Sequence, residues 1–275
     1  SGSLQAGSQL NLQATGINND SGVVRALGNS RILSSADISN KAGQIATNGT
    51  LQVGGQNLNN QAGMIQSGIG SALDIILNGE LDNSQVGRIL SGAGFKLQVN
   101  QLNNSQQGQI SAQDVLNIIS AGLVDNQSGQ MIANQNVALT SQSLNNNQGQ
   151  IGSIQDGLTI DAGNQALSNQ VGTLQAKSDV TIKALSLDST KGQIISQAKV
   201  DVQSQKEVNN QQGLISADQG IQVNSQGLNN HLGNISSAQG NIVLNAGQGV
   251  LSNQTGKVIA GQALQLTADQ VDNSQ

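Results

Sequence analysis

The chain has 275 residues, with 11 Lys and Arg against 16 Asp and Glu for a formal net charge of −5, and only 10% of its residues are charged. It holds no Cys, Pro, Trp or Tyr, a single Phe (Phe95) and a single His (His231). That excludes a disulfide framework, thiolate or paired-histidine metal sites and Cys nucleophiles, and so few basic groups leave no stripe to neutralise nucleic-acid phosphates.

Asn contributes 33 residues, Gln 41 and Gly 34, a composition that disordered chains also show. The apolar runs are only a few residues long, too short to span a membrane as a helix. Ser1-Gly2-Ser3-Leu4 has neither the basic nor the apolar segment of a secretory signal. If the protein is secreted, its signal is expected on sequence outside this chain.

Order in the sequence argues against disorder. One unit recurs along the chain: aliphatic, polar, Asn, two or three polar residues, Gly, any residue, aliphatic, any residue, small. Copies start at Ile17, Ile38, Leu58, Leu81, Leu102, Val124, Leu144, Leu167, Leu187, Val208, Leu228, Leu251 and Val271, thirteen starts with a mean period of about 21. The third column is Asn19, Asn40, Asn60, Asn83, Asn104, Asn126, Asn146, Asn169, Ser189, Asn210, Asn230, Asn253 and Asn273. The Gly column is unbroken: Gly22, Gly43, Gly63, Gly87, Gly108, Gly129, Gly149, Gly172, Gly192, Gly213, Gly233 and Gly256. Two residues after each Gly stands an aliphatic or Met, from Val24 and Ile45 to Ile235 and Val258, and two further on stands Ala, Ser or Thr. A second alternating stretch precedes most starts, as in Leu51/Val53, Leu97/Val99, Val137/Leu139 and Ile221/Val223.

Alternation with period two predicts strands, because residues i and i+2 share one face of a pleated ribbon. A period near 21 is too short for a pair of helices, and one unit cannot bury its own apolar face. The prediction is an all-β parallel solenoid of about 13 coils, each strand pairing in register with its equivalent one turn on, about 4.8 Å away. Its core is thin, filled by Ile, Leu, Val and Ala. Stacking also explains the Asn column: an amide is both donor and acceptor, and bonds its equivalents above and below. The Gly column is expected to hold positive φ, where a side chain is strained.

No linker interrupts the array, so residues 1–275 are expected to form one domain. Both ends fall inside a repeat without a capping unit, which predicts a fragment of a longer filament whose open ends stack end to end. The long intervals after Gly63, Gly149 and Gly233 recur about every four turns, and the last two carry Ala162-Gly163 and Ala246-Gly247 at comparable positions, with Asn78-Gly79 less closely matched; this predicts a bulged corner on one side, with tolerated loop variation as the alternative to a binding feature.

Asp82, Asp125, Asp188 and Asp272 share the second column but alternate there with Asn and Ser, and read as corner groups rather than a paired-carboxylate site. Asp156 and Asp161 have no basic partners in the unit pattern, and His231 occupies a variable turn position. Calcium-binding nonapeptides, phosphate loops and regular Thr-x-Thr columns do not occur. No catalytic residue, metal or cofactor is expected.

The units Leu58-Asn59-Asn60-Gln61-Ala62-Gly63-Met64-Ile65, Leu102-Asn103-Asn104 through Gly108-Gln109-Ile110, and Leu144-Asn145-Asn146 through Gly149-Gln150-Ile151 resemble the roughly 20-residue repeat of filamentous haemagglutinins and related exoproteins. That family includes contact-dependent growth inhibition effectors. The resemblance covers essentially the whole chain and rests on thirteen copies in phase. It implies a right-handed β-helix, an outer-membrane two-partner-secretion transporter as partner, and a secreted filament on a Gram-negative cell surface. The leading expectation is a structural shaft. A binding module whose face meets a glycan or cell-surface receptor is the second, although no aromatic column is present to stack on sugars. A polysaccharide-cleaving β-helix is the third.

Overall fold

Every regular element of the computed structural model, which describes residues 2–275, is a β-strand, and the strands come in three kinds that repeat in order. The first follows the Gly column, as in Val23–Ala26; the second is the later alternating stretch, as in Ser30–Ser34; the third carries the aliphatic start, as in Ile38–Ser39. Each kind pairs only with its own kind, always in parallel, so the chain is a parallel β-solenoid with three sheets.

The chain divides into two units, Ser1–Ser141 and Gln142–Gln275. In the first, the first strands bring Val24, Ile45, Ile65, Ile89, Ile110 and Met131 into one register column. The second strands stack Ile32, Val53, Ile75, Leu97, Ile118 and Leu139, and the third strands stack Ile17, Ile38, Leu58, Leu81, Leu102 and Val124. The second unit repeats the pattern with Ile151, Leu174, Ile194, Ile215, Ile235 and Val258 on its first strands and Leu144, Leu167, Leu187, Val208, Leu228 and Leu251 within its third-strand columns.

Like residues stack because register follows the repeat: a one-residue slip would turn every aliphatic outward. The strands alternate buried and accessible positions, shown by the second strand Phe95–Val99, in which Phe95, Leu97 and Val99 point inward. Phe95 shows that the core admits one ring. It is buried in the column of Leu73 and Leu116, where it replaces an aliphatic.

The long turns are resolved differently from the one-sided bulge expected from spacing. Gly163 and Gly247 both have φ of 56° and turn the corner between second and third strands, each beside a fully buried Ala (Ala162, Ala246). In the long turn after Gly63, the positive φ of 68° falls instead on Gly70, at the corner between first and second strands. Spacing alone counts inserted residues and does not say which corner receives them.

Candidate functional site

The feature that runs through every turn of each unit is the corner between third and first strands. In the first unit, Asn19 Nδ2 donates to Asn40 Oδ1, Asn40 to Asn60, Asn60 to Asn83 and Asn83 to Asn104, each at 2.7 Å, and Asn104 donates to Asn126 at 2.8 Å. In the second, Asn146 donates to Asn169 at 2.7 Å, Asn210 to Asn230 at 2.7 Å, Asn230 to Asn253 at 2.6 Å and Asn253 to Asn273 at 2.7 Å. The second N–H of each amide serves backbone carbonyls: for Asn60 these are Gly63 O at 3.3 Å and Arg88 O at 3.2 Å. Asn40, Asn60, Asn83, Asn104, Asn126, Asn146, Asn169, Asn210 and Asn230 are fully buried. Within each unit these amides point their donors the same way along the chain, so each donor meets the amide acceptor of the following turn and pairs it in the buried corner.

The one Ser of the column interrupts this. Asn169 Nδ2 reaches Ser189 Oγ at a longer 3.2 Å, and Asn210 Oδ1, which would receive the next donor, is buried without a hydrogen-bond partner among the described residues.

The glycines are required for a different reason than positive φ. The left-handed backbone falls one residue earlier, on Ser21 (φ 51°), Ala42 (50°), Ala62 (54°), Val86 (61°), Gln107 (66°), Ser128 (57°), Gln148 (57°), Val171 (57°), Lys191 (56°), Gln212 (56°), Leu232 (56°) and Thr255 (52°), and on none of the column glycines. All of them but the half-buried Ser128 are exposed, and even Val86, Val171 and Leu232 are 52%, 58% and 47% exposed. The glycine after each lies against the ladder. A Cβ on Gly43 would sit 2.6 Å from Asn40 Oδ1 and closer still to the Asn19 carbonyl, and one on Gly87 would sit 2.5 Å from Asn60 O. Absence of a Cβ lets the first-strand backbone accept from the amides. The mixed identities of the preceding residues hide the left-handed column from sequence inspection.

The second-column carboxylates cap the same corner from outside. Asp82 Oδ1 accepts from the Ser84 backbone N–H at 3.0 Å and its Oδ2 from Gln61 Nε2 at 2.7 Å, while Asp125 Oδ1 accepts from Gln127 N–H at 3.0 Å. Asp188 accepts from Thr190 N–H at 3.1 Å, Thr190 Oγ1–H at 2.6 Å and Gln170 Nε2 at 2.6 Å, and Asp272 accepts from Ser274 N–H at 3.0 Å. Partial burial opposes ionisation of Asp188, but the Thr190 and Gln170 hydrogen bonds outweigh it and hold the carboxyl below its ordinary value. Glu80 moves the other way, raised by partial burial and then by the charge of Asp82. Asn59, Asn103, Asn145 and Asn229 make the same backbone contact two residues on, so these carboxylates are members of an Asx-turn column and form no acid pair.

Asp161 caps the Gly163 bulge at 2.8 Å, and Asp156 N–H donates to Ser153 Oγ at 3.0 Å. His231 donates its backbone N–H to Asn229 Oδ1 at 3.0 Å. Among the described residues no group of three or more His, Asp or Glu could hold a metal ion, and no helix is long and apolar enough to cross a membrane. On the second unit, the outer face of the second-strand sheet carries an open polar groove of about 400 Å³ lined by Thr181, Lys199, Asp201, Gln222 and Asn241, deepened where Gly220 (φ 146°) contributes no side chain.

The family model described as Haemagglutinin repeat matches residues 1–42, 33–85, 69–164, 153–206, 204–251 and 238–275. No curated protein and no solved structure matches the chain. With matches tiling it from end to end, this chain belongs to the haemagglutinin-repeat family, whose members are secreted surface proteins associated with two-partner secretion.

Proposed function

We propose that the chain is a segment of the shaft of a filamentous surface protein, an adhesin or a contact-dependent toxin-delivery protein, and that it has no chemistry of its own. On this reading residues 1–275 belong to a single repeat array, exported through an outer-membrane transporter, that presents binding or toxic regions carried elsewhere in the full protein. The carrying observation is the buried Asn ladder with its three aliphatic columns. The residues most regular in sequence all point inward or cap corners, and the outward positions vary from turn to turn. A shaft needs that arrangement, whereas a catalytic or receptor site would concentrate particular side chains on one outer face.

Small-angle scattering and electron microscopy of the purified chain test this. A rod that lengthens in proportion when whole turns are duplicated, and full-length adhesin that keeps its cell binding when whole turns are removed, would support a shaft. Loss of binding on removal of one particular turn would overturn it.

The groove between Thr181 and Asn241 favours a second reading, a binding face for glycan or receptor. Its lining offers hydroxyl, amide, ammonium and carboxylate groups within one open groove. Saturable binding of this chain to cells, lost with Asp201→Ala, would support it over the shaft.

A further inference from the structure

The amide ladder of the second unit is interrupted at Ser189, and we propose that a single buried water molecule takes the place of the missing amide nitrogen there. The corner backbone at Ser189 is the same as at an Asn. Ser189 N–H donates to Asn209 O at 2.7 Å and Gly192 N–H to Ser189 O at 2.8 Å, against 2.7 Å from Asn19 to Ser39 and 2.9 Å from Gly22 to Asn19. The strands on either side stay in register, Leu187 with Val208 and Gln193 with Leu214, so the turns cannot approach to close the gap left by the shorter side chain. Ser189 and Asn210 are 1% and 0% exposed, and Asn210 Oδ1 has no partner among the described residues. Exchanging a carboxamide for a hydroxyl leaves room on the order of one water's share of liquid volume, about 30 Å³.

The donors and acceptors around that position match water. Ser189 Oγ already accepts from Asn169 Nδ2 at 3.2 Å, which leaves its own proton for the oxygen of the water. One water proton then goes to Asn210 Oδ1. The other goes to Gly192 O or Leu214 O, which correspond to Gly22 O and Gln44 O, the carbonyls that take the second N–H of Asn19. Three hydrogen bonds in a polar, closed site are what a buried water needs. The two water protons reproduce the two N–H groups of the amide, and the Ser hydroxyl replaces its covalent tether. A monovalent cation fits less well, because it would be buried without a countercharge and would face the hydroxyl proton. With both neighbours closed to solvent, this water leaves only when the two turns separate, so its exchange with bulk reports opening at this junction.

The test is a crystal structure that resolves waters, of the wild-type chain and of Ser189→Asn, together with oxygen-17 relaxation dispersion, which counts long-lived waters in solution. The expected result is one peak at about 2.7–3.0 Å from both Ser189 Oγ and Asn210 Oδ1, replaced by the amide in Ser189→Asn, and a dispersion count lower by one in the variant. Direct contact of Ser189 Oγ with Asn210 Oδ1, a site without density, or a peak that rubidium or thallium replaces would overturn the proposal. The wild-type crystal alone decides among these if the variant does not fold.

Discussion

Replacing Asn60 by Ala removes one rung from the middle of the first unit's ladder. Two side-chain bonds of 2.7 Å are lost, one from Asn40 and one to Asn83, together with the weaker pair to Gly63 O and Arg88 O. Each strong bond contributes about 1 kcal/mol net, and Asn83 Oδ1, fully buried, is left unpaired at a further cost of about 1–3 kcal/mol. The expected destabilisation is about 3–5 kcal/mol. At about 2–4 °C per kcal/mol for a chain of this size, the melting temperature should fall by about 10 °C.

Asn60→Ser should cost roughly half as much, because the chain itself accepts Ser189 at the same position. Urea unfolding followed by far-ultraviolet circular dichroism measures the shift. Amide exchange locates it, since stability in a repeat array is a sum of local terms and protection should fall around Gly63 and Gly87 before it falls elsewhere. An unchanged midpoint together with unchanged exchange at those glycines would refute the view that the ladder holds the turns.

Gly43→Ala should destabilise by about 2–3 kcal/mol, because the added carbon meets the Asn19 backbone carbonyl and an Asn40 Oδ1 that is fixed in the ladder; a denaturant midpoint equal to wild type would contradict this. Val171→Gly should stabilise by about 0.5–1 kcal/mol, since a β-branched residue at φ 57° loses more to strain than Gly loses to entropy in the unfolded chain, and calorimetry should show a higher melting temperature. For Asp188, whose carboxyl is held below its ordinary value of 3.8, the stabilising contribution is complete above that value and is lost as pH falls through the lowered one. Asp188→Asn, which keeps the acceptor for Thr190 N–H, should therefore lose less stability than wild type when unfolding is followed from pH 5 down to pH 2. A parallel pH profile would count against the Thr190 and Gln170 hydrogen bonds as the cause.

The repeat columns are legible in sequence because each reports a constraint on residue type. Twelve Asn in thirteen copies and an unbroken Gly column mark a buried amide and a position without room for a Cβ, and period-two aliphatics mark inward strand faces. What those constraints are made of is less legible. Gly22 and its equivalents looked like left-handed positions, yet the left-handed residue is the solvent-facing one before them, where Val86, Lys191 and Thr255 are all accepted. Exposed positions carry no packing requirement, so no residue type accumulates there to signal the conformation. Asp82 and Asp188 likewise read as corner groups in sequence, while the Gln61 and Gln170 amides reach them from the preceding turn through a register that only the stacked sheets set.

Residue pattern alone therefore determined that this chain coils, how many residues each turn takes and which positions face inward, since burial of a repeating aliphatic face has one stacked solution. Tertiary structure decided what depends on distances between turns. It set the direction in which the amides donate, the corner that receives each insertion, and the reason for glycine beneath the ladder. It also decided the consequence of Ser189. In sequence that residue is one substitution in a column, but in the fold the sheets on either side keep the turns at a fixed spacing, and the shorter side chain leaves Asn210 Oδ1 out of reach.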